Sequence, residues 1–457
     1  MSFRRSIPAG LLLAAIAQPL VAQEVPRVEV PYVIDTLDNG LTLIVHEDRS
    51  VPVVAVNVWY HVGSGDEKPG RTGFAHLFEH LMFMGSEHAP YPAFDRMLEG
   101  AGANNNGSTT EDRTNYFEFG PRNALPLMLW LEADRMGWML PTMDSVKVDL
   151  QRDVVKNERR QRVDNQPYGL ASETIARMLY PPGHPSSWPV IGSMEDLSAA
   201  SLDDTRDFFR RYYAPNNAAI VVAGDVRADS VKAMVERYFG AIPRGPAIER
   251  PSPAPFALAR DTAAVLEDRV QLPRLYYTWQ GVRKYADDDA ALDLAAYVLT
   301  GAKNSRLTKR MVYDEQLVTS VSAWNDSKRL AGDFAVVATA RPGHALPELQ
   351  AVIDEELRRL ATDGPTEREL EQAKNATEAG FLRSLERVLG KADQLNAYYY
   401  ETGDPDHYAE DLARYRAVTA ADVQRAAREY LLAPKVVLSI VPQGKTDLAA
   451  QAAGVIP

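Results

Sequence analysis

A block in the middle of the chain recurs near its end. Ser201-Leu-Asp-Asp-Thr205 leads to Tyr212-Tyr-Ala214-Pro215 and the apolar run Ala218–Ala223; Thr419-Ala-Ala-Asp-Val423 leads to Tyr430-Leu-Leu-Ala433-Pro434 and Val436–Val441. The offset is 218 residues, becoming 219 after one insertion. Near the front of each half, Gly85 and Gly301 close comparable apolar segments at an offset of 216. Repetition on this scale restricts the chain to two copies of one α/β unit. Between them, Pro243, Pro246, Pro251, Pro253 and Pro255 mark a stiff surface linker. The expected division is a leader at 1–22, a first domain at 23–242, a linker at 243–257 and a second domain at 258–457. A chain of 457 residues is long enough for both domains.

Only the first copy carries chemistry. His76-Leu77-Phe78-Glu79-His80 lies inside the apolar segment Gly73–Met84. On a helix, at about 100° per residue, His76, Glu79 and His80 fall within an arc of about 100°. Polar groups converging on an otherwise apolar helix need a partner, and a divalent metal fits. Two imidazoles at i, i+4 can bind Zn²⁺ with the intervening carboxylate as general base. The offset of 216 places Leu292, Ala295 and Ala296 where His76, Glu79 and His80 stand, so the second copy is chemically silent.

Composition narrows the alternatives. A formal charge of −12 argues against nucleic acid or an anionic membrane as the main partner. The chain has no Cys, so a metal site must use His and carboxylates. Arg4 and Arg5, the apolar stretch Leu11–Ala17 and small residues at Ala15, Ala17 and Ala22 read as a secretory signal. No later apolar run reaches the roughly 18 residues a membrane span needs. An exported, periplasmic protein is expected.

Leu41–His46 and Val53–His61 alternate as strands after the turn Asp38-Asn39-Gly40. Thr72 is the expected N-cap of the His-bearing helix. The polar stretch Asn104–Thr110 leads to a strand at Thr114–Phe119. Helices are expected near 122–138, 145–163, 168–180, 202–213 and 227–239, and an apolar strand at Asn217–Val226. A catalytic zinc usually has three protein ligands. Leu150, Val154 and Glu158 follow at i, i+4, i+8, so Glu158 continues an apolar stripe and is a candidate third ligand. Spacing alone allows equally a helical ion pair between Glu158 and Arg162.

H-x-x-E-H, a gap of 77 residues, then Glu158 in Arg152-Asp-Val-Val-Lys-Asn-Glu158 resembles the pitrilysin/insulinase family, the inverzincins, which include the mitochondrial processing peptidases. Gly73–Ser86, Asn106-Gly-Ser-Thr-Thr110 with Thr114–Phe117, Tyr213–Asn217 before Val221–Asp225, and Asn304–Leu307 extend the resemblance over nearly the whole mature chain. The resemblance implies an α+β fold of two homologous α/β-roll domains, each an antiparallel-rich sheet packed with helices. It implies His76, His80 and Glu158 as ligands of one Zn²⁺ per chain, and Glu79 as the base that activates water and passes the proton to the leaving amine. It implies that Asn105, Asn106, Gly107, Ser108 and Thr109 lie on an edge strand that binds peptide by β-addition. The activity implied is a zinc endopeptidase acting on peptides or short unfolded segments in the cell envelope. The alternative is a non-proteolytic peptide-binding or assembly subunit of the same fold.

Two departures stand out. Where relatives often carry a Glu that supports the ligands from behind, this chain has Gln151. Where the family's second domain commonly carries an Arg and a Tyr seven residues apart, this chain has Val312 and Thr319. Arg310 and Tyr313 are out of register. The expectation is a homologous partner chain that supplies the missing Arg and Tyr, or a homodimer.

Overall fold

The protein is described from a computed structural model covering residues 28–450; the leader expected at 1–22 and its cleavage site lie outside the described residues. The first half contains strands β1 (Val33–Thr36), β2 (Thr42–Glu47), β3 (Val53–Tyr60), β4 (Asn104–Thr109), β5 (Thr114–Pro121) and β6 (Ala218–Gly224). Its helices are α1 (Phe74–Leu81), α2 (Ala93–Gly100), α3 (Leu125–Trp138), α4 (Ser145–Arg159), α5 (Ala171–Leu179), α6 (Met194–Ala199), α7 (Leu202–Tyr212) and α8 (Ala228–Phe239). The second half contains β7 (Thr262–Asp268), β8 (Arg274–Gly281), β9 (Val318–Asp326), β10 (Gly332–Ala340) and β11 (Lys435–Pro442). Its helices are α9 (Asp289–Thr300), α10 (Leu346–Asp363), α11 (Glu367–Ser384), α12 (Val388–Thr402), α13 (Tyr408–Ala417) and α14 (Ala420–Ala426).

The two sheets repeat one strand order. The first runs β1-β2-β6-β3-β5-β4 and the second β7-β11-β8-β10-β9, so β1 is an addition to an otherwise shared five-strand pattern. Each has one parallel pair, β2 with β6 and β7 with β11, in an otherwise antiparallel sheet. Strand β6 is buried along its whole length between β2 and β3, which is why it reads as a continuous apolar run. The repeated helix starts are built alike: Ser201 with Asp204 and Thr419 with Asp422 each form a capping box. No regular secondary structure lies between α8 and β7, the stretch that holds the five prolines.

Each half lends a helix to the other. α12, from the second half, packs Val388, Ala392 and Leu395 on Ile44, Ala55, Val221 and Ala223 of the first sheet. α5, from the first half, packs Ala171 and Ile175 on Leu438 and Ile440 of the second sheet. The paired positions 171 and 388, and 175 and 392, share one offset of 217 residues. The opposite face of each sheet is covered by its own helices, around Leu77, Phe78 and Met128 in one half and Leu292, Leu299 and Ile353 in the other. Among the described residues, no helix is long and apolar enough to cross a membrane.

Three local readings of the sequence differ from the structure. The N-cap of α1 is Gly73, at φ 84°, not Thr72. The Thr72 hydroxyl donates instead to Asp196 at 2.6 Å. Helix α1 ends at Leu81, so Gly85 sits beyond it, bridged to Pro90, whereas Gly301 caps α9 directly. The stripe on α4 is exposed: Val146, Leu150 and Val154 are 72%, 51% and 39% accessible, and the buried face is Val148, Val155 and Arg159. An i, i+4 series places residues on one side of a helix without saying which side faces the core; Leu150 lies about 140° from Val155 at 100° per residue.

Candidate metal centre

Helix α1 crosses α4, and the crossing brings the sequence candidates together. His76 Nε2 lies 3.8 Å and His80 Nε2 3.1 Å from Glu158 Oε2. One ligand atom from each of His76, His80 and Glu158 falls within 4.8 Å of the others. Among the described residues, this is where His and carboxylate groups gather closely enough for a metal ion. Two imidazole nitrogens and a carboxylate oxygen suit Zn²⁺, whose ligand distances are about 2.0–2.2 Å. The silent copy fills the same helix positions with buried Leu292, Ala295 and Ala296.

Glu158 divides its oxygens. Oε2 faces the imidazoles, while Oε1 accepts from Arg162 at 2.7 Å, so the ion pair and the cluster coexist on one side chain. The hydrogen bond from His80, aided by His76 and Arg162, holds the Glu158 carboxyl below its usual range. Burial, together with the neighbouring His80, lowers His76 to about 4, so it is neutral and able to ligate at neutral pH. Its Nδ1 is buried without a hydrogen-bond partner. Gln151 does not supply one: its amide nitrogen sits 2.7 Å from Met84 Sδ.

Glu79, beside His80 on α1, reaches the edge strand β4. The Thr109 hydroxyl donates to Glu79 Oε2 at 2.6 Å. Burial pushes the Glu79 carboxyl up, partly opposed by that hydrogen bond and by His80. Gly107 allows this approach; a Cβ there would stand 3.1 Å from Glu79 Cγ and 3.3 Å from Tyr116 Cδ1.

The stretch Asn104–Thr109 is an edge strand, paired with β5 on one side only. Side chains alternate across it. Asn105 donates to Asp95 at 2.8 Å, and Thr109 to Glu79, on the α1 face. Ser108 donates to Asn115 at 2.7 Å on the other face. The Asn106 side chain accepts from the Gly107 amide at 2.9 Å. With these side chains already engaged, what β4 offers a ligand is its unpaired backbone edge.

The sequence reading missed Glu67. Its two oxygens accept from the Gly73 amide at 3.0 Å and the Ala75 amide at 2.9 Å, capping α1 from a preceding loop. Burial pushes this carboxyl well above its usual range, and the amide hydrogen bonds oppose it. Glu at six to eight residues before the capped amides matches no standard capping spacing. Arg113 was missed as well; it donates to the Ser108 carbonyl at 2.9 Å and lies 5.1 Å over the Trp59 ring.

The positions of the absent Arg and Tyr are filled otherwise. Val312 packs against the second core, and Thr319 donates to the Thr339 carbonyl at 3.2 Å. Arg310 is held by Glu315 at 2.6 Å, Glu355 at 2.9 Å and Glu356 at 3.0 Å. Tyr313 is half exposed.

Fold and cluster together define a duplicated α/β scaffold with a His-His-Glu centre in one half. Comparison with known proteins agrees: residues 42–181 match the profile described as insulinase (peptidase family M16), and residues 199–377 the peptidase M16 inactive domain. The chain is 30% identical over 399 residues to the zinc protease PqqE of Helicobacter pylori, covering 86% of this chain and 89% of that one. It is 24% identical to the uncharacterized zinc protease YmxG of Bacillus subtilis, covering 90% and 98%. The crystal structure of a protease from Helicobacter pylori superposes with a TM-score of 0.84 at 27% identity, covering 90% of this chain and 99% of that one. The chain belongs to the insulinase family, peptidase family M16. The inactive-domain match begins within α6, ahead of the proline-rich stretch.

Proposed function

We propose that this chain is the metal-bearing subunit of a zinc endopeptidase of the cell envelope, cutting peptides or short unfolded segments. One observation carries the reading: the His76, His80 and Glu158 ligand atoms meet within 4.8 Å, and the adjacent Glu79 is hydrogen-bonded to an edge strand with a free side. The relatives named zinc proteases support it.

Zinc held by these three groups, one per chain, supplies Lewis acidity to a scissile carbonyl and to water. Glu79 takes a proton from the attacking water on its carboxylate and returns it to the leaving amine. Thr109, donating to Oε2, keeps that carboxylate oriented and leaves Oε1 free for the proton. The substrate adds to the outer edge of β4 as a further strand, read through its backbone. The leader-like N-terminus supports export to the periplasm.

A homologous partner chain completes the site by supplying Arg and Tyr; a second copy of this chain would bring the same Val312 and Thr319. The support is that Arg310 is tied to three carboxylates and so is not free to replace the missing guanidinium. The test is co-purification from the native host followed by a peptide-library digest with and without chelator. Chelator-sensitive cleavage by the complex, greater than by the isolated chain, is expected. Cleavage unaffected by chelator would overturn the metal mechanism, and full activity of the isolated chain would overturn the partner.

A further inference from the structure

The lent helix α12 does more than cover the first sheet. Its Asp393 Oδ1 accepts from Asn57 Nδ2 at 3.0 Å, Trp59 Nε1 at 3.2 Å and Asn115 Nδ2 at 3.5 Å. These donors lie on β3 and β5. Asn115 passes the connection to the edge strand, its Oδ1 accepting from Ser108 Oγ at 2.7 Å. Arg113 closes the network, donating to the Ser108 carbonyl at 2.9 Å and to Ser108 Oγ at 2.7 Å. The charges acting on Arg113 are those of Asp393, Glu79, Asp112 and Glu111. β4 is therefore gripped on both faces, by Asp95 and Glu79 through Asn105 and Thr109, and by the Asp393 network through Ser108.

The duplication supplies an internal control. α5 covers the second sheet in the same way, and at the offset of 217 its counterpart of Asp393 is Ala176. There the network is missing. A cavity of about 310 Å³ opens instead, lined by Ala176, Thr278 and Asp333 among others. At this helix position α12 has a carboxylate and α5 has Ala176.

We infer that Asp393, from the metal-free half, is a positioning residue that fixes the substrate-binding edge strand β4 beside Glu79. The inference rests on the proposed peptidase reading, and its test keeps the two apart. Amide exchange across Asn104–Thr109 is measured in wild type, D393N, S108A and the double variant, alongside zinc content and peptide kinetics. D393N keeps one accepting oxygen for Asn57, Trp59 and Asn115 but removes the charge that strengthens those bonds and acts on Arg113. Expected for D393N are β4 exchange and KM each raised about tenfold, the scale of one charge-assisted hydrogen bond. Expected also are kcat changed less than about twofold, and unaltered zinc content and exchange in α1. In the double variant the exchange effects should be non-additive, because Asp393 and Ser108 act along one path. Unchanged β4 exchange in D393N, or strictly additive effects, would overturn the inference. If wild type cut no peptide with any partner, the peptidase reading would fail while β4 exchange still decided the role of Asp393.

Discussion

Glu79 works only as a carboxylate, and its surroundings pull it both ways. Burial raises its pKa, and the hydrogen bond from Thr109 lowers it. A raised pKa places the acid limb of kcat/KM above the ordinary glutamate range, with activity lost as pH falls through it. Thr109→Val removes a bond that favours the charged form, so the limb should move to still higher pH; a limb that stays put would mean Thr109 does not act on Glu79. Gly107→Ala inserts a methyl 3.1 Å from Glu79 Cγ. Displacing the base by a fraction of an ångström should lower kcat about tenfold or more with zinc retained. Equal kcat in stopped-assay comparison would show that the strand can yield.

At the scale of elements, α1 depends on a cap outside itself. Gly73 has no side chain to offer, and Glu67 accepts from two of the otherwise orphaned amides. Glu67→Ala should destabilise the protein by about 2 kcal/mol, read as a fall in Tm, and weaken zinc retention, because His76 rides on the first turn of this eight-residue helix and His80 on its last. Glu67→Gln keeps one acceptor and should fall between. The metal-binding pattern was legible in the sequence because its members are local or periodic: His76, Glu79 and His80 share one face of one helix. Glu158 was legible only with the family pattern, because an i, i+4 series does not say which face is buried, and Leu150 and Val154 are exposed. Glu67 was not legible, since a loop residue capping a helix from a distance leaves no spacing rule.

At the scale of the molecule, the duplication was readable from matched segments, and the two sheets repeat its order. The exchange of α5 and α12 was not readable, because a helix's apolar face does not name the sheet it will meet. Asp393 was hidden for the same reason: its partner Asn57 is 336 residues away. The exchange makes the halves interdependent. A single proteolytic nick in the proline-rich stretch 243–255 should leave two fragments that co-elute on gel filtration and keep zinc; separation under native conditions would contradict the mutual clasp. The partner prediction also belongs here: a related chain bearing Arg and Tyr should raise turnover without raising zinc per metal-bearing chain.

The central claim is that His76, His80 and Glu158 hold a catalytic metal beside Glu79 as base. The most direct test is zinc content measured with peptide turnover in the purified Glu79→Gln variant and wild type, each with its partner. Expected are about one zinc per metal-bearing chain in both and turnover lower in the variant by about 10²–10⁴-fold. A wild type without bound metal, or a variant that cuts at the wild-type rate, would contradict it.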